Sequence, residues 1–289
     1  MKINGRSIDI SNRTRIMFPG IGLSKEELID YYIRISEVML PHIQGRPASF
    51  ERYPNGIGEK GFYQQAVSDY FPKWIRRITV DKKSGGTITH LSCDNKETLV
   101  YLANQACITL HVWLSRMPGI DKPDKIIFDL DPSEDDPSLI VKAAKVLKKI
   151  LEDEGLPAYV MLTGSSGMHV VVPIRPESGF DKIRSFAKEL SERAVEEDPD
   201  EITTEQRKSK RKGRIFMDYL RNSYGQTSVA PYSVRSLDNS PIAAPLEWSE
   251  ISYKNFDPQK YTVKNIFRRL GQIKDPWQNF YDHAVSIDL

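Results

Sequence analysis

The chain has 289 residues, 39% of them hydrophobic and 28% charged, which suffices for one large domain or two ordinary ones without disulfide staples and fits a soluble, folded protein. With 41 Lys and Arg against 39 Asp and Glu the formal net charge is +2, so any nucleic-acid surface has to be local. No segment approaches the roughly 20 apolar residues of a membrane span, and the opening Met1-Lys2-Ile3-Asn4-Gly5-Arg6 lacks the apolar core of a secretory signal, which predicts a cytoplasmic protein.

The first 120 residues form an N-terminal α/β region of the predicted organisation. Ser24 and Glu27 make a capping box that opens a helix through Ile29, Tyr32, Ile33 and Val38. Gly- and Pro-rich loops and short strands such as Thr87 to Leu91 follow, and Asn95 to Met117 reads as a longer helix carrying Leu99, Leu102, Ala106 and Leu110. The two cysteines, Cys93 and Cys107, have no compact ligand cluster around them, which predicts buried thiols and no structural zinc.

Residues 121–240 carry the clearest pattern. Lys125 to Asp131 is a short apolar run stopped by Pro132, a buried strand. Asp136-Pro137 reads as a helix N-cap with Pro in the first position, and Leu139, Ile140, Ala143, Val146, Leu147, Ile150 and Leu151 continue that helix to Gly155. Ala158 to Leu162 and Met168 to Ile174 are two strands joined by the turn Thr163-Gly164-Ser165-Ser166-Gly167. A second amphipathic helix contains Phe180, Ile183, Phe186, Ala187, Leu190 and Ala194, and Arg214 to Leu220 reads as a fourth strand. The order βαββαβ is that of a ferredoxin-like, RRM-like core, and the fold class is α+β. Residues 241–289 form a tail with a helix near Val263 to Leu270.

Strand alternation puts Asp129 and Asp131 on one face. In the usual ferredoxin-like arrangement the first strand lies between the third and the fourth, so Asp218 flanks the pair. Three converging carboxylates repel each other unless cations neutralise them, and hard oxygen ligands suit Mg²⁺ or Mn²⁺, two of which serve nucleotidyl transfer. The turn Thr163 to Gly167 and His169 supply small residues, hydroxyls and backbone amides that can cradle a triphosphate. Six of the eight residues from Arg207 to Arg214 are basic, which suits sequence-independent phosphate contact through Lys208, Lys210 and Arg211.

Phe128-Asp129-Leu130-Asp131-Pro132, Thr163 to His169, Phe216-Met217-Asp218 and Ala230-Pro231-Tyr232-Ser233-Val234-Arg235 resemble the polymerase domain of bacterial ligase D, in the archaeo-eukaryotic primase superfamily. Gly45-Arg46-Pro47-Ala48 and Arg52-Tyr53-Pro54-Asn55-Gly56 extend the likeness, which covers nearly the whole chain as a single primase-polymerase domain. The resemblance implies a template-dependent polymerase at broken DNA ends in non-homologous end joining, favouring ribonucleotides. By that likeness Asp129, Asp131 and Asp218 hold two Mn²⁺ or Mg²⁺ ions, and Thr163, Gly164, Ser165, His169, His111 and Arg235 contact the nucleoside triphosphate. Arg15 and Lys25 match positions that bind a 5′-phosphate at a gap or overhang, and Arg52, Phe62 and Tyr63 match a DNA-facing surface. Glu51 and Ser166 stand where the family often has lysines, which removes positive charge near the triphosphate. The resemblance also implies a separate DNA ligase and a Ku-type end-binding protein as partners. A primase starting chains de novo and a noncatalytic RNA-binding module of the same topology are the alternatives; such modules place base-stacking aromatics where this chain has Asp129, Asp131 and Asp218.

Overall fold

The capping box at Ser24 forms as its residues dictate: the Ser24 hydroxyl accepts from the Glu27 backbone and the Glu27 carboxylate accepts from the Ser24 N–H, starting a helix over Lys25–Ile43. The structure, a computed structural model, describes residues 1–133, 137–251 and 256–289. In chain order the elements are β1 (Lys2–Ile3), β2 (Arg6–Ser7), β3 (Ile16–Phe18), β4 (Leu23–Ser24), α1 (Lys25–Ile43), β5 (Ala48–Arg52), β6 (Phe62–Gln64), β7 (Arg77–Asp81), β8 (Thr87–Leu91), α2 (Lys96–Asn104) and β9 (Cys107–Trp113). They continue with β10 (Lys125–Asp131), α3 (Pro137–Asp153), β11 (Tyr159–Leu162), β12 (Met168–Pro173), α4 (Phe180–Glu197), β13 (Ile202–Thr203), β14 (Ile215–Asp218), β15 (Thr227–Val229), β16 (Pro245–Leu246) and α5 (Ile266–Leu270). Among the described residues no helix is long and apolar enough to cross a membrane.

Contacts divide the chain into two units, and the division is not sequential. The first takes Met1–Trp113, Thr227–Ala243 and Thr262–Arg268, and the second takes Leu114–Gln226, Ala244–Tyr261 and Arg269–Leu289. The stretch after residue 240 is thus shared by both units and carries β16 as well as the short α5.

The first unit is built on a sheet of order β15-β9-β5-β8-β7, with β6 added beside β5. Against the expectation of one long helix over Asn95 to Met117, α2 stops at Asn104 and the chain turns into β9. Ala106 adopts a left-handed φ of 58°, which no helix continues through. The following Cys107-Ile108-Thr109-Leu110-His111-Val112-Trp113 carries β-branched residues that suit a pleated sheet better than a helical turn. Both cysteines are buried free thiols.

The second unit contains the expected core. Its sheet runs β13-β14-β10-β12-β11-β16, so β10 does lie between the third and fourth strands of the βαββαβ order. Antiparallel pairing joins β10 to both neighbours, and α3 packs beside α4. The two outer strands, β13 and β16, are two residues each and were too short to be read from the sequence. The proposed N-cap Asp136 lies outside the described residues.

Asn222 pins the centre of this sheet from a buried position. Its Oδ1 accepts from Ile127 N–H at 2.8 Å, and its Nδ2 donates to the Ile127 and Tyr219 carbonyls at 2.7 and 2.8 Å. Asn222→Ala strands a buried donor and a buried acceptor on β10, so it is expected to cost about 2–4 kcal/mol of unfolding free energy. Urea denaturation measures this, and an unchanged midpoint contradicts it.

Candidate active site

In the second unit the antiparallel register places Asp129 directly opposite both Asp218 on β14 and His169 on β12. Directly opposed residues share a sheet face, and Asp131 follows Asp129 on that face by alternation. The three acidic residues proposed from the sequence are therefore neighbours with His169. Asp129 Oδ1 is 3.4 Å from His169 Nε2, while Arg221 Nε stands 3.4 Å from Asp129 Oδ2 and 3.8 Å from Asp218 Oδ2.

Electrostatics separates the three acids. Burial pushes the Asp129 carboxyl up, but His169 and Arg221 outweigh it and hold the group below its ordinary value. Asp131 is raised to about 6 by burial and then by Asp129 and Asp218. Burial raises Asp218 against the pull of the Leu220 N–H and Arg221. The cluster is short of positive charge: among the described ion pairs Arg221 stands beside Asp129 and Asp218, and His169 beside Asp129. Among the described residues no group of three His, Cys, Asp or Glu side chains is gathered closely enough to form a ready cation cage. Repelling carboxylates with a guanidinium between two of them have no reason to close up on their own. The donor set, three hard carboxylates with His169 Nδ1 buried and without a hydrogen-bond partner among the described residues, fits a divalent cation chemically.

The turn before β12 approaches this face closely. Gly164 has a left-handed φ of 68°, and a Cβ on Gly167 would meet the Leu130 carbonyl oxygen at 2.6 Å and Asp131 Oδ1 at 3.5 Å. Only glycine leaves room there. Thr163 does not offer a free hydroxyl to a ligand as the sequence suggested, because its Oγ1 donates to the Gly167 carbonyl at 3.0 Å and accepts from the Gly167 and Ser165 amides. It knits the turn; Ser165 is half-buried, and Ser166 is exposed at the tip. In the basic loop Lys208 and Lys210 are exposed. Arg211 donates to the Glu205 and Gln206 carbonyls and lies 3.9 Å from the Phe216 ring centroid, so part of its guanidinium shapes the loop.

The first unit holds the remaining predicted residues. Lys25 is buried, its Nζ 2.7 Å from the Ser11 carbonyl, and burial together with the nearby Arg15 charge lowers it to about 8. Arg15 donates to the Pro54 carbonyl and, at 3.2 Å, to Asn55 Oδ1. Neither cation is paired with a carboxylate among the described residues. Phe62 and Tyr63 are 48% and 47% exposed and alternate to opposite faces of β6. Arg52, expected on DNA, is a hub of contacts: it donates to Gln105 O at 3.0 Å, Gln64 Oε1 at 3.0 Å and Tyr70 Oη at 2.7 Å, and lies 5.3 Å from the Phe62 ring centroid. His111 lies on β9, 3.5 Å from Glu51 Oε1, and the Arg235 charge helps to hold Glu51 ionised.

Sequence reasoning passed over Arg221, Asn222 and Tyr70. Arg221 carried a signal, a cation three residues after an acid proposed for metal binding. Tyr70, 62% exposed, carried none.

Residues 24–277 match the family model described as the LigD primase-polymerase domain. The chain is 32% identical over 284 residues to the multifunctional non-homologous end joining protein LigD of Mycolicibacterium smegmatis, covering 97% of this chain and 36% of that protein. It is 30% identical over 276 residues to the bifunctional non-homologous end joining protein LigD of Bacillus subtilis, covering 95% and 44%. The chain thus spans less than half the length of these relatives. Its structure is similar to the polymerase domain of Mycobacterium tuberculosis ligase D solved in complex with DNA, with a TM-score of 0.89 and 30% identity over 96% of this chain and 99% of that one.

Proposed function

Because the chain belongs to the LigD primase-polymerase domain family, we propose that it is a template-dependent nucleotidyltransferase that fills gaps and extends ends of DNA in non-homologous end joining. The observation that carries this reading is the opposition of Asp129 to Asp218 and His169, with Asp131 on the same face. A noncatalytic base-binding sheet has no use for buried, mutually repelling carboxylates at that place, and they oppose a bare phosphate backbone.

Asp129, Asp131 and Asp218 would hold Mn²⁺ or Mg²⁺. When bound, such cations supply acidity to a primer 3′-hydroxyl and charge neutralisation at the departing pyrophosphate. The chain's own residues do the rest. His169 orients Asp129, Gly167 lets the phosphate turn lie against β10, and Lys208 and Lys210 offer exposed charge to phosphates. In the first unit Arg15 and Lys25 are proposed to hold a 5′-phosphate, Phe62 and Tyr63 to lie against DNA, and His111 and Arg235 to contact the nucleotide. A DNA ligase activity and a Ku-type end-binding protein, and a cytoplasmic location, go with this reading.

The ribose preference rests on fewer groups than the sequence suggested, since Thr163 spends its hydroxyl on the turn. His111 remains as a polar partner for a 2′-hydroxyl, and a site built around that hydroxyl is left with an unpaired polar group by a deoxy sugar. Ribonucleotides are expected to be added at least as well as deoxyribonucleotides to a gapped duplex with either Mg²⁺ or Mn²⁺. Direct competition between the two sugars measures this, and a strong deoxyribonucleotide preference under both metals contradicts it.

A further inference from the structure

Glu51 places a carboxylate within the first unit's proposed nucleotide surface, where an anion binder gains nothing from negative charge. It lies opposite Thr109 of β9 on one side and opposite Tyr63 of β6 on the other. His111 is two residues beyond Thr109, so Glu51, Thr109, His111 and Tyr63 share one sheet face. Both carboxylate oxygens are engaged. Oε1 is 3.5 Å from His111 Nε2, Oε2 accepts from the Ser236 hydroxyl at 2.8 Å, and Ser236 Oγ in turn lies 3.2 Å from Tyr53 Oη. The Tyr63 ring meets the imidazole edge-on, centroids 5.9 Å apart.

The pair is largely withdrawn from water, with side-chain exposures of 17% for His111 and 25% for Glu51, so solvent screens it less than a surface ion pair. The nearby His111 imidazole outweighs burial and, with the hydrogen bond from Ser236, brings the Glu51 carboxyl down to about 2. The carboxylate is therefore charged throughout the range in which an imidazole titrates. Beside the pair stand Arg235, whose charge acts on Glu51, Tyr63, opposite it on β6, and Tyr53, linked to it through Ser236. Arg235 favours the ionised carboxylate and opposes a charge on His111. With His111 protonated, one carboxylate would face two cations and the cluster would be net positive.

We propose that Glu51 is a positioning residue for His111: it fixes the imidazole against Tyr63 and keeps it doubly protonated near pH 7, so that an incoming nucleotide meets a charged N–H donor. This rests on the nucleotide contact proposed above for His111. The carboxylate favours the imidazolium by direct attraction, and charge-assisted donors are roughly twice as strong as neutral ones.

The test is an NMR titration of the imidazole C–H resonances in the full chain without substrate. There are five histidines, and His111→Ala identifies the relevant signal. His111 is expected to titrate about one pH unit or more above the ordinary value of about 6.5, to fall by about one unit in Glu51→Gln, and to stay raised in Glu51→Asp. In primer extension, Glu51→Gln is expected to raise the nucleotide KM several-fold at pH 8 with little change in kcat, and to raise it less at pH 6. An ordinary His111 midpoint in the wild-type chain overturns the proposal even if Glu51→Gln fails to fold, and so does a midpoint that Glu51→Gln leaves in place. A wild-type chain that adds no nucleotide overturns the polymerase reading and with it this role; the two failures are told apart because the titration needs no substrate.

Discussion

Replacing Asp129 or Asp218 by alanine is expected to reduce nucleotide addition at least about 100-fold while leaving DNA binding intact or slightly tighter. On the proposed reading the three carboxylates act together as ligands, so each loss removes most of the activity, and subtracting negative charge from a surface that would face phosphates favours DNA. Asp131 separates this reading from a merely structural one. Burial and the neighbouring Asp129 and Asp218 raise its carboxyl to about 6. Between roughly pH 4 and 6 the folded chain keeps a proton that the unfolded chain has released, so stability falls as pH rises through that window. Asp131→Asn is therefore expected to be inactive yet more stable than the wild type by about 1–3 kcal/mol at pH 7 in the absence of divalent ions. Urea denaturation beside primer extension reads both quantities. An active Asp131→Asn chain, or one both inactive and markedly destabilised, contradicts the assignment.

Removing the 5′-phosphate downstream of a gap is expected to weaken DNA binding more than tenfold, and Arg15→Ala combined with Lys25→Ala is expected to abolish that difference. Each charge-assisted hydrogen bond to phosphate contributes roughly 1.5–3 kcal/mol, and two of them exceed the 1.4 kcal/mol of a tenfold change. The site suits the task because both cations are anchored by neutral oxygens, Lys25 by Ser11 and Arg15 by Pro54 and Asn55. Lys25 adds a pH signature. Burial and then Arg15 lower its ammonium to about 8, so the phosphate advantage is expected to be full at pH 7 and to decline as pH rises past about 8. Binding near that pH takes up a proton, since a phosphate favours the charged amine. Equal affinity for phosphorylated and unphosphorylated gaps, or an advantage that grows with pH, contradicts this account.

The second unit was legible because its signals are local. The apolar run Lys125–Asp131 ends at a proline, and helical periodicity and glycine turns mark each change of direction. A known topology then supplied the neighbours that the sequence itself does not state, putting Asp218 beside Asp129 as the register does. The first unit was less legible because its sheet is assembled across long separations: β15 joins β9 from more than a hundred residues away, and β6 is three residues long. The helix expected through Asn95 to Met117 failed at Ala106, whose left-handed backbone no apolar periodicity reveals. Arg52 and Arg211 show the limit for charged residues. Both were assigned to DNA by position, and position alone does not reveal that both also donate to protein oxygens and lie against aromatic rings. The Glu51 pairing was hidden for a related reason, since its partners come from β9 and from residue 236. The sequence marked Glu51 only as a missing positive charge.

The most direct measurement is single-nucleotide addition to a one-base gap bearing a 5′-phosphate, with each of the four template bases in turn and with Mn²⁺ present or chelated. The account predicts addition of the nucleotide complementary to the template base, dependent on the divalent ion and lost in Asp129→Ala and Asp218→Ala chains that remain folded. Addition that ignores the template base, or that persists in either alanine variant, contradicts it.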